Sequence, residues 1–233
     1  MKFRIHLTAN ETGIPFNYSH QLCGIFHQWL GPNELHDMMS LYSLGWLSGR
    51  AQAQNGTLWF NKGAHWDIGI HDDAIAERLV RGLLLKEFHF HGMGIRKAEK
   101  LEPPAFSENK HRFLTNSPVM LRRTEDDRSK TFVLYDKPEE SSAMMTRIWK
   151  HKLREAGKEE LADSVAASFD RSFPRPKTRL IDIKGIKNKG SVCPVIAEGP
   201  PEALEFLWET GVGELTGTGF GSLNHTAALR NGS

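Results

Sequence analysis

The sequence predicts an α+β protein built from two ferredoxin-like (RRM-like) units in tandem. Three observations carry this. The N-terminal part reads strand, helix, strand, strand, helix, strand, which is the ferredoxin-like order. A proline pair, Pro103-Pro104, marks a linker near the middle of the chain. A looser version of the same order, with inserted helices, follows from Phe113 onward. The expected units are residues 1–104 and 105–233. A length of 233 residues suits two small domains or one large one. With 39% hydrophobic and 25% charged residues, the chain has a packed core and is not globally disordered.

Each element has its own signal. Phe3, Ile5 and Leu7 alternate with Lys2, Arg4 and His6, the pattern of a half-buried strand rather than a secretion signal. After Gly13 and Pro15, a helix is expected from Asn17 to Leu30. Leu22, Ile25, Phe26, Trp29 and Leu30 form its apolar face, and Gly31-Pro32 stops it. Short strands are expected at Leu44–Leu47, Thr57–Phe60 and Trp66–Ile70, a second helix from Asp72, and a closing strand at Ile95–Leu101. In the second unit, strands are expected near Val119–Arg122 and Thr131–Leu134, and helices over Glu139–Ala156 and Lys158–Phe169. Thr178–Lys184 and Val192–Ala197 read as a hairpin turned by Asn188-Lys189-Gly190, and Pro200–Thr210 reads as a helix.

The chain then runs into GVGELTGTGFGSL, Gly211 to Leu223, with five glycines in eleven residues. A nucleotide-phosphate loop follows a strand and opens a helix. Here the glycines follow a helix, only a short polar tail comes after them, and no Gly-Lys-Ser/Thr ending is present. What remains is a helix cap with a glycine-rich strand, or a backbone that comes close to RNA or to the other unit. Two distant cysteines, Cys23 and Cys193, without metal spacing suit a reduced cytoplasmic protein. No apolar run approaches membrane-spanning length, so no membrane partner is expected.

Eleven histidines are many for this length, and NYSHQLCGIFHQWLGPNELHD carries three, His20, His27 and His36. At helical spacing His20, Gly24, His27 and Gly31 share one low, polar face, opposite the apolar one. Such a face can sit against a ligand backbone, or it can simply meet water. His20 and His27 lie two turns apart, about 10 Å along the helix, too wide for one metal ion. His89 and His91 in FHFH fall on one face of a candidate strand. Imidazoles near neutral pKa can exchange protons during RNA transesterification, in which the 2′-hydroxyl is the nucleophile. The segment Arg175–Lys189 holds six cations, Arg179, Lys184, Lys187 and Lys189 among them, against the single acid Asp182. In a chain of net charge +2 this is a local patch suited to phosphates.

With these residues in place, the sequence resembles the CRISPR-associated Cas6 endoribonucleases that process repeat RNA. GVGELTGTGFGSL resembles the closing glycine-rich motif of that family. HQLCGIFHQWL followed by ELHD resembles its first helix and catalytic-histidine segment, and FLTNSPVMLR, Phe113 to Arg122, its entry into the second domain. The resemblance implies tandem ferredoxin-like domains and metal-independent cutting of precursor CRISPR RNA within repeats. It implies 2′,3′-cyclic phosphate and 5′-hydroxyl ends, and no cofactor. It places the family histidine on His36. The family's frequent helix tyrosine falls on His27, a departure that makes His27 a candidate second proton carrier. A lysine that some members carry further on is replaced by Tyr42 and Ser43, so Tyr42 joins the candidate catalytic set and charge stabilisation falls to Arg50, Lys62 or the basic hairpin. His20, Arg179, Lys184, Lys187, Lys189, Gly217, Gly219 and Gly221 are the candidate RNA contacts. Expected partners are repeat RNA, other subunits of a CRISPR effector complex and a second copy of the chain. A non-cleaving RNA-binding subunit of such a complex is the alternative.

Overall fold

The computed structural model describes residues 1–35, 38–127 and 129–225. The first unit contains β1 (Lys2–Leu7), β2 (Ile14–Pro15), α1 (Ser19–Leu30), β3 (Tyr42–Leu44), β4 (Gln52–Gln54), β5 (Thr57–Trp59), β6 (Ala64–Ile70), α2 (Asp73–Leu85) and β7 (Ile95–Leu101). Its main sheet has the order β3-β6-β1-β7, with antiparallel neighbours throughout. That is the ferredoxin-like order, and β2, β5 and β4 form a small separate sheet. The alternation in β1 sends Phe3, Ile5 and Leu7 into a core shared with Leu22, Phe26 and Trp29 of α1 and Leu79 of α2. α2 is capped by Asp72, whose carboxylate accepts from the amide of Ile75 at 2.9 Å.

The second unit contains β8 (Lys110–Thr115), β9 (Arg122–Thr124), β10 (Lys130–Phe132), α3 (Pro138–Glu155), α4 (Glu159–Ala162), β11 (Ala166–Phe169), β12 (Lys177–Ile183), β13 (Ile186–Val192), β14 (Val195–Glu198), α5 (Pro201–Thr210) and β15 (Leu223–His225). Its main sheet runs β11-β14-β8-β15. With α3 and α5 as the two helices, this is the same ferredoxin-like order again. Two hairpins, β9-β10 and β12-β13, are inserted into it. A second core around Phe113, Trp149, Val195, Leu204 and Leu207 holds this unit together.

Several expected elements shift. The helix expected over Lys158–Phe169 is only the single turn α4, followed by strand β11. The reason lies in the spacing: Val165, Ala167 and Phe169 are buried while Ala166 is exposed, a period of two. The basic hairpin is turned by Lys184-Gly185, not by Asn188-Lys189-Gly190. Both turn residues have positive φ, 52° and 83°, as a tight primed turn requires, and Asp182 accepts from the Gly185 amide at 2.7 Å. Val192–Ala197 is accordingly not the second arm: β13 pairs with β12, and β14 joins the main sheet. The strands expected at Val119–Arg122 and Thr131–Leu134 lie at Arg122–Thr124 and Lys130–Phe132. That expected at Leu44–Leu47 is Tyr42–Leu44. FHFH forms a turn rather than a strand: His91 has φ of 51° and Phe90 bridges Met93. Among the described residues, no helix is long and apolar enough to cross a membrane.

The two units are joined through the C-terminal end of α5, where helix carbonyls lose their intrahelical partners. The Gly211 amide returns to Leu207 O at 2.8 Å. Lys2 donates to Trp208 O at 3.1 Å and to Leu223 O. Ser43 donates to Glu209 O at 2.8 Å. Lys152 donates to Thr210 O at 2.9 Å and Gly211 O at 3.2 Å. Two fully buried ammonium groups, one from each unit, thus meet the negative end of one helix. Burial pulls the Lys2 pKa down to about 8 and that of Lys152 to about 7.

Candidate functional site

α1 supplies the first wall of the site. Leu22, Phe26, Trp29 and Leu30 are buried, so the opposite face turns outward. That face carries His20, Gly24 and His27. A Cβ on Gly24 would meet nothing within 4 Å, so the helix surface is open at this point. The Nδ1 of His20 lies 2.9 Å from Asn17 O. The Nδ1 of His27 lies 3.1 Å from Asn33 Oδ1, and Asn33 donates through Nδ2 to Gly31 O at 2.7 Å. The loop after α1 therefore sets the orientation of His27. Facing an acceptor, Nδ1 carries the proton of the neutral ring, and Nε2 is the basic nitrogen. His36 lies outside the described residues.

Tyr42, at the start of β3, forms the floor. It is only 3% exposed, stacks on Phe26 with ring centroids 5.0 Å apart, and meets the edge of His27 at 6.4 Å. Burial, with a smaller contribution from nearby Cys23, pushes its pKa up to about 12; a hydrogen bond with Ser40 acts in the opposite direction. At neutral pH Tyr42 is therefore a protonated phenol. Ser43 is buried and engaged by Glu209 O.

The basic hairpin supplies the second wall. Asp182 N donates to Asn17 Oδ1 at 3.3 Å, which seats the hairpin against the start of α1. The charge of Lys184, at the hairpin tip, reaches Cys23 and partly offsets the burial that pushes that thiol up to about 11. Cys23 and His27 are i, i+4 neighbours on α1, so the charge of Lys184 is felt one helical turn from His27. The register splits the other cations. Lys187 pairs with Asp182 and Lys189 with Leu180 on one face, whereas Arg179 opposite Gly190 lies on the other. Among the described residues, Arg179, Lys184, Lys187 and Lys189 are in no ion pair, while Arg4, Arg112 and Arg122 are bound to Asp67, Asp170 and Glu214. Arg179 borders a cavity of about 720 Å³ between the units, lined also by Phe16, Tyr18, Trp46, Ser48 and Leu180.

The glycine-rich stretch packs beneath these walls. Gly217, Gly219 and Gly221 are all buried. A Cβ on Gly217 would lie 2.6 Å from both Ser40 Oγ and Tyr42 Oη, so only glycine lets this loop meet the first unit. Gly221 has φ of 61°, and a Cβ there would come within 1.8 Å of Val212 O. Trp46 donates to Gly219 O at 2.9 Å, and Cys23 to Gly217 O at 3.3 Å. These contacts place Gly217 and Gly219 in a seam between the units. The segment Ser117-Pro118-Val119 braces the glycine-rich stretch from within the second unit. The Gly221 amide donates to Pro118 O at 2.8 Å, and the Ser222 amide to Ser117 Oγ at 2.9 Å.

These glycine environments predict opposite stability effects. Gly221→Ala forces a side chain into a left-handed position already in contact with backbone, and is expected to destabilise by about 2 kcal/mol or more. Gly24→Ala, in an open helical position, is expected to stabilise by roughly 0.5–1 kcal/mol. Urea unfolding of the two variants checks both signs.

Lys2, Lys152 and Glu209 do not stand out in the sequence as site-forming residues. Their signal was weak but present: Lys152 falls three residues after Trp149, on the apolar face of α3, where a lysine is out of place unless its charge is satisfied. Among the described residues, no group of three or more His, Cys, Asp or Glu side chains is placed to hold a metal ion.

Comparison with known proteins gives a consistent result. The family model described as CRISPR associated protein Cas6, C-terminal, matches residues 100–225. No curated protein matches the chain. A solved structure of a CRISPR associated protein Cas6 aligns at TM-score 0.79 and 20% identity, covering 97% of this chain and 98% of its own. A structure characterising a Cas6-related gene from Pyrococcus furiosus aligns at TM-score 0.80 and 20% identity, covering 96% and 97%. A third, an RAMP protein binding different RNA substrates, aligns at TM-score 0.79 and 15% identity, covering 96% and 98%.

Proposed function

The chain belongs to the CRISPR-associated Cas6 family, and from that premise we propose that it cuts precursor CRISPR RNA within its repeats by metal-independent transesterification. Membership supports binding or processing of repeat RNA, and the cutting chemistry is the finer reading. The observation that carries it is the His20-Gly24-His27 face of α1, open at Gly24, with the basic hairpin seated against the start of the same helix through Asp182 and Asn17. The 2′-oxygen of the RNA attacks the adjacent phosphorus while the P–O5′ bond breaks. One imidazole takes the 2′-hydroxyl proton, and an imidazolium gives a proton to the leaving 5′-oxygen. The products carry a 2′,3′-cyclic phosphate and a 5′-hydroxyl. His36 and His27 are the proposed proton carriers, and Lys184 the cation that meets the developing phosphorane charge. Tyr42, withdrawn from solvent, shapes the floor rather than exchanging protons. We place the division between the units between Leu101 and Lys110, in the segment that contains Pro103-Pro104.

RNA is proposed to lie along α1 and the hairpin, with His20, Lys187 and Lys189 on its phosphates. Arg179 and the neighbouring cavity suit an unpaired base, which can stack on the exposed Phe16 ring. Gly217, Gly219 and Gly221 act by holding the two walls together. A non-cleaving RNA-binding subunit is the second reading. It is favoured by one observation: the positions where some members carry a lysine hold the buried Tyr42 and Ser43. Incubation of repeat RNA with the protein in chelator separates the two, since the second reading predicts bound and uncut RNA.

The hairpin has its own prediction. Changing Lys184, Lys187 and Lys189 together to Ala is expected to weaken RNA binding and to flatten the dependence of log affinity on log salt by roughly two to three units. Titrations at several salt concentrations measure the slope, and an unchanged slope means the hairpin is merely solvated.

A further inference from the structure

Lys152 is 3% exposed, an unusual place for a lysine. It projects from α3 into the seam and finds three oxygens: Thr210 O at 2.9 Å, Gly211 O at 3.2 Å and Thr216 Oγ1 at 3.0 Å. Three acceptors match the three protons of the charged amino group, so each proton has a partner and the charged form is held against the burial that lowers its pKa. Thr216 accepts from Lys152 and spends its own proton on Tyr42 O, 2.8 Å away. Thr216 is fully buried in the glycine-rich loop, and Tyr42 begins β3. The bonds form a strut that crosses from α3 of the second unit to the backbone beneath His27. Nothing in RNA contact is needed to explain it, and neither Lys152 nor Thr216 lines the histidine face.

We propose that Lys152 is a positioning residue that acts through the Thr216 hydroxyl to fix the start of β3, and with it residues 38–42, against the glycine-rich loop. An ammonium in this place does what a helix C-cap does for α5, and also steers Thr216. With the hydroxyl accepting from Lys152, its proton goes to Tyr42 O at 2.8 Å in preference to Ser40 O at 3.5 Å. Without the ammonium, nothing on the second unit's side holds the hydroxyl in that orientation. The consequence for catalysis rests on the proposed cleavage reaction, whereas the consequence for backbone order does not.

Thr216→Val keeps the shape of the side chain and removes the hydroxyl, Thr216→Ser keeps the hydroxyl, and Lys152→Met removes the charge. Hydrogen exchange of peptides spanning residues 38–46 in the full chain reads the strut directly. Exchange is expected to quicken about tenfold or more in Thr216→Val and Lys152→Met, and to stay near wild type in Thr216→Ser. Single-turnover cutting at saturating RNA is expected to slow about 10–100-fold in the first two, with RNA affinity unchanged, and Thr216→Ser is expected to restore it. Wild-type exchange in Thr216→Val overturns the strut, even if Lys152→Met fails to fold. Faster exchange with an unchanged cutting rate overturns its role in the reaction. If the wild-type protein leaves RNA uncut, the cleavage reading fails, and exchange alone then decides the strut.

Discussion

His36→Ala slows cutting at saturating RNA by about 10²–10⁴-fold, the span expected when a general acid or base is removed. Affinity for the repeat hardly changes, because phosphate contacts dominate such an interface and one imidazole adds little. His27→Ala slows the reaction on a similar scale if it is the second proton carrier. The wild-type pH–rate profile is then bell-shaped, and each variant loses one limb. The geometry of α1 gives the reason to expect this of His27. Asn33 holds its Nδ1, and its ring stands edge-on to the protonated phenol of Tyr42. Single-turnover rates and RNA affinities, measured separately for each variant, check both roles. A His36→Ala protein that cuts at the wild-type rate moves the active site elsewhere, with His20 the next residue to change.

Elements whose burial is local were readable from the sequence. β1 announces itself by Phe3, Ile5 and Leu7, α1 by its apolar face and Gly31, and β7 matches its expected range, Ile95–Leu101. The tandem ferredoxin-like order followed from such elements. Failures arose where tertiary contacts override local chemistry. Asn188-Lys189-Gly190 has the composition of a turn, yet it lies inside β13. A Cβ on Gly190 would lie 2.9 Å from Val119 O, so this glycine serves a close backbone approach rather than a turn. α4 is a single turn because Val165, Ala167 and Phe169 are drawn into the second core at strand spacing. The His20-Gly24-His27 face was legible because helical spacing alone creates it. The buried lysines were not, since their role depends on carbonyls more than fifty residues away in sequence. The glycine-rich motif was legible as a signature, while its work, closing the seam against Ser40 and Tyr42, appears only in three dimensions.

The central claim is that the RNA supplies its own nucleophile. A repeat RNA with one 2′-deoxy substitution, at the nucleotide 5′ of the cut, tests it most directly. The substitution removes the attacking oxygen and leaves every phosphate in place. Binding is therefore expected to stay within about twofold, since the salt-dependent phosphate contacts are intact, while cutting at that position disappears. Chelator is expected to change neither result, and the products of the all-ribose RNA are expected to carry cyclic phosphate ends. Cutting of the deoxy substrate at the wild-type rate, with a linear phosphate at the new end, would contradict the account and point to an activated water as the nucleophile.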